Sequence, residues 1–413
     1  MNGANQSEIT IVGGGIAGLA LALNLHARAI PCRVYEAAPE LREIGVGITV
    51  LPHAMRELAA LGLMDVLVPQ GIENKQSGFF NRFGQLIYEE PRGRFAGYPY
   101  PELGVHRGKL HGALYQAVKE RLGPDAVVLG HQCVGLDQDD TAVTLSFRTP
   151  GGAVEKVRAE TVVACDGVNS AIRAHFYPND PLVFAGINSW RGVTRRPPIL
   201  DGRTYLRIGS ITTGKMTIYP IADDVDGQGN QLINWVAQLP AKDHAKNDWN
   251  KQASPSAFID RFADWTFDWF DVPAMITGAD SILEYPMVDR DPIPRWTFGR
   301  ITLAGDAAHP MYPRGSNGSA QALIDVRTLA DLFEKSATRE AAFAAYEAER
   351  RPATERVVLT NRSTPPDLIN TRVEELTGDK PFDNLDSFIT QPELRKLSEQ
   401  YERAAKFSIA DVR

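Results

Sequence analysis

Residues 8–36 read EITIVGGGIAGLALALNLHARAIPCRVYE. The short β-branched apolar run from Glu8 to Val12 predicts a buried strand. It leads into Gly13-Gly14-Gly15-Ile16-Ala17-Gly18, a G-x-G-x-x-G, and then into an Ala/Leu-rich stretch that predicts a helix. Cys32 to Tyr35 predicts a second strand, and Glu36 stands at its end, 18 residues past Gly18. Each part has a task in holding a dinucleotide. Gly13 permits the tight turn, Gly15 lets a pyrophosphate approach, and Gly18 allows close helix–strand packing. Glu36 offers acceptors to ribose hydroxyls, and its charge favours a ribose without a 2′-phosphate. An isolated glycine fingerprint says little; strand, helix, second strand and acid in register predict a nucleotide-binding βαβ unit.

A second stretch of this kind, GRITLAGDAAHPMYPRGSNGSAQALID, covers residues 299–325. Ile301 to Leu303 predicts a strand, with Gly305-Asp306 placing a carboxylate at its carboxyl end. A loop with Pro310, Pro313, Gly315 and Gly318 follows, then a helix from about Ser319 to Lys335. Glycines at 315 and 318 let backbone come close to a ligand. The unpaired N–H groups of the next helix suit a group that becomes negative. A third carboxylate, Asp166, follows the apolar run Thr161 to Cys165, again where ligands of open α/β sheets collect.

The 413 residues suffice for two or three domains, and 43% hydrophobic with 23% charged content is that of a globular enzyme. A net charge of −7 without a basic block argues against nucleic acid. No apolar run reaches the roughly 18 residues of a membrane span. The start, MNGANQSE, has no signal-peptide pattern, so a soluble cytoplasmic protein is expected. Cys32, Cys133 and Cys165 are widely spaced in apolar runs, which predicts core residues, with no disulfide framework and no metal site.

Between these landmarks the pattern changes character. Residues 72–104 are aromatic, Gly/Pro-rich and alternating, which predicts a β excursion out of the nucleotide domain. Residues 105–122 open another helix with Arg107 at its start, either a ligand contact or a solvated end charge. Residues 181–298 are β-rich, with one expected helical insert, SPSAFIDRFADWTFDWF (254–270), whose aromatics are expected to be core. After Tyr346 a polar helix and a charged tail predict no chemistry. The expected fold is α/β. An FAD-binding Rossmann-like domain (1–71, 105–180, 299–362) is interleaved with a β-rich substrate domain (72–104, 181–298) and followed by a C-terminal helical tail (363–413).

The order and spacing of G-x-G-x-x-G with Glu36, Asp166-Gly167 and Gly305-Asp306 resemble the single-component, class A flavoprotein aromatic hydroxylases, of the para-hydroxybenzoate and salicylate hydroxylase type. The resemblance covers about residues 8–362. Within that family WRGVT (190–194), YPMVDRDPIP (285–294) and the 299–325 stretch look like the phenazine-carboxylate monooxygenase branch of pyocyanin formation.

The resemblance implies FAD as cofactor and NADH or NADPH as a transient reductant with no Rossmann domain of its own. It implies that O2 adds at the flavin C4a atom and that one oxygen goes to a small planar aromatic or heteroaromatic substrate. That substrate is expected to be a carboxylic acid, hydroxylated with or without loss of the carboxyl group. Gly13, Gly15, Ala17 and Gly18 would wrap the pyrophosphate, with Glu36 and Ala37 at the adenosine ribose and Val134 beside the adenine. Arg42 and Arg107 would lie along the pyrophosphate and ribityl chain. Asp166 is implicated near the pyrophosphate, and Asp306 would bind a ribityl hydroxyl. Gly47 and the backbone of Gly315, Ser316, Asn317 and Gly318 would face the isoalloxazine. Thr49, Tyr219 and Pro313 are the candidates for the reaction pocket, although Tyr219 fits a core position equally well. His309 is expected to be a packed structural histidine.

No flavin-halogenase WxWxIP stretch is present, and a NAD-dependent dehydrogenase would leave the Gly305-Asp306 loop unused. The alternative is an FAD-dependent oxidoreductase or a non-catalytic flavoprotein without oxygen insertion, and NAD(P)H consumption separates the non-catalytic case. A monomer or homodimer is expected.

Overall fold

The structure, a computed structural model, describes residues 8–41, 45–242, 251–363, 367–405 and 412. Two sheets carry it. In the first, the strands Ile9–Val12, Cys32–Tyr35, Val127–Val128, Thr161–Ala164 and Ile301–Leu303 lie parallel, and Thr297–Phe298 adds an antiparallel edge. The strand Ile9–Val12 is central and buried along its whole length, as an apolar run covered on both faces must be. Helices Ile16–His26, Arg107–Leu122 and Asn317–Lys335 pack with it into one large core.

The second sheet has eight strands. Its central part, Val183–Arg196, Gln231–Pro240, Gly214–Ala222 and Thr204–Ser210, is antiparallel. Gln76–Phe80 joins parallel to Thr204–Ser210, with Leu86–Pro91 outside it. Period-2 alternation sorts its two faces. Leu206, Ile208, Met216, Ile218, Ile233 and Trp235 point into a separate core. Tyr205, Arg207, Lys215, Tyr219 and Gln238 point to the other face, toward the parallel sheet.

A small sheet of Gly47–Val50, Leu103–His106 and Gly71–Glu73 joins the layers. Contact there is close. A Cβ on Gly104 would lie 2.3 Å from the Pro220 carbonyl, and one on Gly47 would lie 2.6 Å from the Asn234 Cβ. Gly47 therefore serves contact between the layers. Its N–H donates to Asn234 Oδ1 at 2.7 Å.

One expectation is corrected. Residues 254–270 form short 3-10 turns, Pro255–Ala257 and Ile259–Phe262, and a two-residue hairpin, instead of a helix. Aromatic and β-branched residues gain little from helical backbone, and burial decides their placement: Phe258, Phe262, Trp265 and Phe270 all enter the core of the eight-stranded sheet. The C-terminal segment is helical, as expected, and it packs into the fold. Helices Leu368–Thr377 and Gln391–Ala405 follow Arg339–Ser363, and Ile369, Val373, Leu385 and Leu394 pack on Phe79, Ile87 and Tyr88.

Among the described residues no helix is long and apolar enough to cross a membrane. The cysteines are free thiols, and burial pushes Cys32 up to about 12 and Cys133 up to about 11.

Candidate active site

The glycine fingerprint is shaped as its spacing predicts. Gly13 takes φ +104, where a Cβ would meet the Cys165 carbonyl at 2.3 Å, and a Cβ on Gly18 would sit 1.9 Å from the Gly13 carbonyl. Gly15 differs: a Cβ there would meet nothing within 4 Å. Gly13 and Gly18 are needed by the protein's own packing, whereas Gly15 faces open space. That space is a cavity of about 400 Å³ between the two sheets.

Glu36 lies beside the turn. Its Oε2 accepts from the Gly14 N–H at 2.6 Å and its Oε1 from the Ala38 N–H at 2.8 Å, which fixes the carboxylate at the strand end. Ala37 is exposed next to it. The His131 N–H donates to the Glu36 carbonyl at 2.7 Å, bringing the strand Gln132–Gln138 and exposed Val134 to that end. Arg42 lies outside the described residues.

Asp166 and Asp306 end neighbouring strands. Enclosure in protein raises the pKa of the Asp166 carboxyl, opposed by Ser170. Its Oδ1 has no hydrogen-bond partner, which leaves an acceptor for a ligand. Asp306 is exposed, and it opens onto the cavity. Desolvation raises its pKa, with His309 and Arg107 pulling the other way.

Beneath Asp306 runs a buried network. His309 Nε2 hydrogen-bonds Asp325 Oδ2, which also accepts from the Gly305 N–H at 3.2 Å. Asp325 Oδ1 takes Arg350 Nε at 2.8 Å, and Arg350 reaches Gln321 at 2.7 Å. From the other side Arg173 donates to the Ala308 carbonyl at 2.7 Å. His309 is thus a structural residue, and the loop bearing Asp306 is clamped from both sides.

Gly315 and Ser316 are both left-handed, at φ +67 and +56, and turn the chain into the helix Asn317–Lys335. Ser316 does not cap that helix with its side chain, and its first turn holds no acidic residue. Gly315, Ser316 and Gly318 line the cavity, with Pro313 at its rim, and Asn317 is buried behind them. A helix start left open in this way favours a ligand with negative charge.

The opposite wall is the polar face of the eight-stranded sheet. Tyr219 stacks on Tyr205, ring centroids 5.0 Å apart and planes 9° from parallel. The Arg207 guanidinium lies between Tyr205 and Phe79, 4.7 and 4.8 Å from their centroids. Thr49 is 2% exposed, and its hydroxyl lies beside Tyr219 without a hydrogen bond of good geometry. Burial raises the Tyr219 pKa despite the nearby Thr49 hydroxyl and Arg191, so the phenol stays protonated at neutral pH.

Sequence reasoning missed Arg191, Arg207 and Lys215, and it missed Asp367 in a segment expected to carry no chemistry. All four line the cavity. With Arg107 and Arg314 they give it five cations against the carboxylates Asp306 and Asp367. The available signal was alternation: Lys215, Thr217 and Tyr219 share one side of a strand.

The combination of glycine turn, ribose-side acid and open helix start around one cavity fits FAD. The sequence pattern of a family described as FAD binding domain matches residues 6–194 and 227–361. The chain belongs to this family.

The phenazine 1,6-dicarboxylic acid hydroxylase PhzS of Lysobacter antibioticus is 40% identical to this FAD-binding chain over 369 residues, covering 88% of the chain and 91% of the relative. A 6-hydroxynicotinate 3-monooxygenase of Pseudomonas fluorescens is 30% identical over 359 residues, 84% of the chain and 88% of that protein. The fold is shared with Klebsiella pneumoniae HpxO complexed with FAD and uric acid, at a TM-score of 0.75 and 21% identity over 98% of this chain and 96% of that one. A salicylate hydroxylase substrate complex gives 0.71 and 20% over 98% and 97%. The protein is thus an FAD-dependent flavoprotein hydroxylase of the aromatic monooxygenase kind.

Proposed function

We propose that the protein hydroxylates a small planar aromatic or heteroaromatic carboxylic acid, using FAD, O2 and NADH or NADPH. One observation carries the substrate class: the cavity opposite the FAD-binding loops is walled by stacked Tyr205 and Tyr219 and by the cations Arg191, Arg207 and Lys215. Flat aromatic walls suit a planar ring, and a surplus of buried cations suits an acid. The Lysobacter and Pseudomonas relatives are named for a phenazine dicarboxylic acid and a hydroxynicotinate, both aromatic acids.

Bound FAD would supply electron transfer from the nicotinamide and activation of O2. The chain's own part is placement. Gly13, Gly15, Ala17 and Gly18 would hold the pyrophosphate, Glu36 the adenosine ribose, and Asp306 a ribityl hydroxyl. The N–H groups from Gly315 to Gly318 would stabilise negative charge on the isoalloxazine. Protonated Tyr219 would donate a hydrogen bond to a ring substituent and fix which carbon is presented. The apolar part of the lining, which includes Ile48, Val236 and Met311, would keep water from the reacting atoms. The FAD-binding segments in this scheme are 1–71, 105–180 and 299–362, with 72–104 and 181–298 facing the substrate.

Purified protein should carry a flavin absorbance spectrum and oxidise NAD(P)H faster when an aromatic acid is added, with a product that has gained one oxygen atom, with or without loss of CO2. Bound FAD with no stimulated NAD(P)H consumption by any aromatic acid would leave a flavoprotein that inserts no oxygen.

A further inference from the structure

Lys215 stands on the ligand-facing side of the strand Gly214–Ala222, and its side chain is only 8% exposed. A buried ammonium is costly, and desolvation lowers the Lys215 pKa. Its partner is Asp367, whose Oδ2 lies 3.1 Å from Nζ and whose side chain is 4% exposed. Asp367 comes from the far end of the chain, where it opens the helix Leu368–Thr377. Its second oxygen, Oδ1, is buried with no hydrogen-bond partner.

The pair does not cancel the local charge. Arg207 acts on Lys215 as a second positive charge, so this wall sets two cations, Lys215 and Arg207, against the one carboxylate of the pair. Arg207 itself hydrogen-bonds only a neutral hydroxyl, that of Ser77, and makes no ion pair among the described residues. This corner therefore holds more positive charge than the protein neutralises, and it opens into the cavity.

Its distance from Tyr219 matters. Lys215 and Tyr219 are four residues apart on one face of a strand, which sets them about 13 Å apart. Thr217 and Val236 make the floor between them, paired across adjacent strands. A flat substrate lying along that floor, with its ring near Tyr219, would bring an acidic substituent to Lys215.

Resting on the aromatic-acid reading above, we propose that Lys215 and Arg207 form the subsite that takes a substrate carboxylate. Asp367, at the start of the helix Leu368–Thr377, is the positioning residue that holds the lysine in place until the substrate arrives. The ligand class is a fused-ring aromatic carboxylate. The subsite discriminates by charge, and the stacked tyrosines read the ring.

The test uses FAD-loaded enzyme and three probes: phenazine-1,6-dicarboxylate, phenazine-1-carboxylate and unsubstituted phenazine. Binding is followed through the absorbance of the bound flavin, and KM and kcat through NAD(P)H oxidation. Lys215→Met leaves Asp367 buried and alone, so Lys215→Met/Asp367→Leu is made beside it; replacing both partners by apolar groups keeps the fold. The double variant should bind the two acids roughly ten- to a hundredfold more weakly, the loss expected for a charged hydrogen bond. Phenazine binding should stay within about threefold. The loss should appear in KM more than in kcat. Asp367→Asn, which removes the competing carboxylate, should bind the acids at least as tightly as the wild type. A folded, FAD-loaded double variant that binds acids and phenazine like the wild type overturns the subsite. So does a wild type that binds phenazine as tightly as the acids, an outcome that leaves the aromatic reading standing. Wild type that binds none of the three fails at the earlier step, the substrate class itself.

Discussion

Two residues bear the sharpest tests. Tyr219 is buried, protonated and stacked flat on Tyr205. Tyr219→Phe keeps the ring and the stack and removes only the hydroxyl, so thermal stability should change little, within about 1 kcal/mol. If the hydroxyl orients substrate, NAD(P)H will still be consumed while hydrogen peroxide is released in place of hydroxylated product. Unchanged coupling would make Tyr219 a packing residue. Asp325 tests the clamp under Asp306. Burial would raise its pKa, but His309 and Arg350 outweigh that and hold it below the ordinary carboxylate range. A depressed carboxyl stabilises the fold above its unfolded pKa, and that contribution is lost as the pH falls through the folded value. Asp325→Asn should therefore cost about 3 kcal/mol near neutrality, since it leaves Arg350 buried without its counter-ion. Thermal melts of both proteins from pH 7 downward should show the gap narrowing below about pH 4. A gap that widens toward acid would contradict the assignment.

At the scale of elements, the βαβ turn separates what glycine does for the protein from what it does for the ligand. A methyl group on Gly18 collides with the Gly13 backbone carbonyl, whereas one on Gly15 enters empty space on an extended backbone that any residue adopts. Gly18→Ala should lose about 1–3 kcal/mol of stability. Gly15→Ala should melt within about 0.5 kcal/mol of wild type without FAD but bind FAD at least tenfold more weakly. Equal FAD affinity in Gly15→Ala would move the pyrophosphate elsewhere.

This unit was legible because its signals act within thirty residues: turn glycines, a helical apolar pattern and an acid at a strand end. The Gly305-Asp306 loop was legible for the same reason. The cationic wall was not. Alternation shows that Lys215, Thr217 and Tyr219 share a face, but not that this face looks at a ligand. The meeting of Lys215 with Asp367 depends on how a distant helix packs. The stretch 254–270 departs from its expected helix because burial places its aromatic side chains, whose spacing resembles that of a helix.

For the whole molecule the question is how two separate cores behave as one. The parallel and eight-stranded sheets each have their own buried cluster. Yet the chain passes between them repeatedly: out for Gln76–Pro91, back by Leu103–His106, out again from Val183 to Asp289, and back at Thr297. The helix Leu368–Thr377 then returns to Phe79 and Tyr88. Neither core can unfold without pulling on several crossings, and the cavity is walled by both. Calorimetry should therefore give a single unfolding transition. FAD, held on the proposed reading mostly by the parallel-sheet loops, should raise that transition as a whole. At a hundred times its Kd the ligand adds about 2.7 kcal/mol, which moves the midpoint of a chain this size by a few degrees. If two transitions appear and only one responds to FAD, the cores are energetically independent. In that case the crossings carry connection without cooperativity, and changes at Lys215 or Asp367 would not reach the FAD loops.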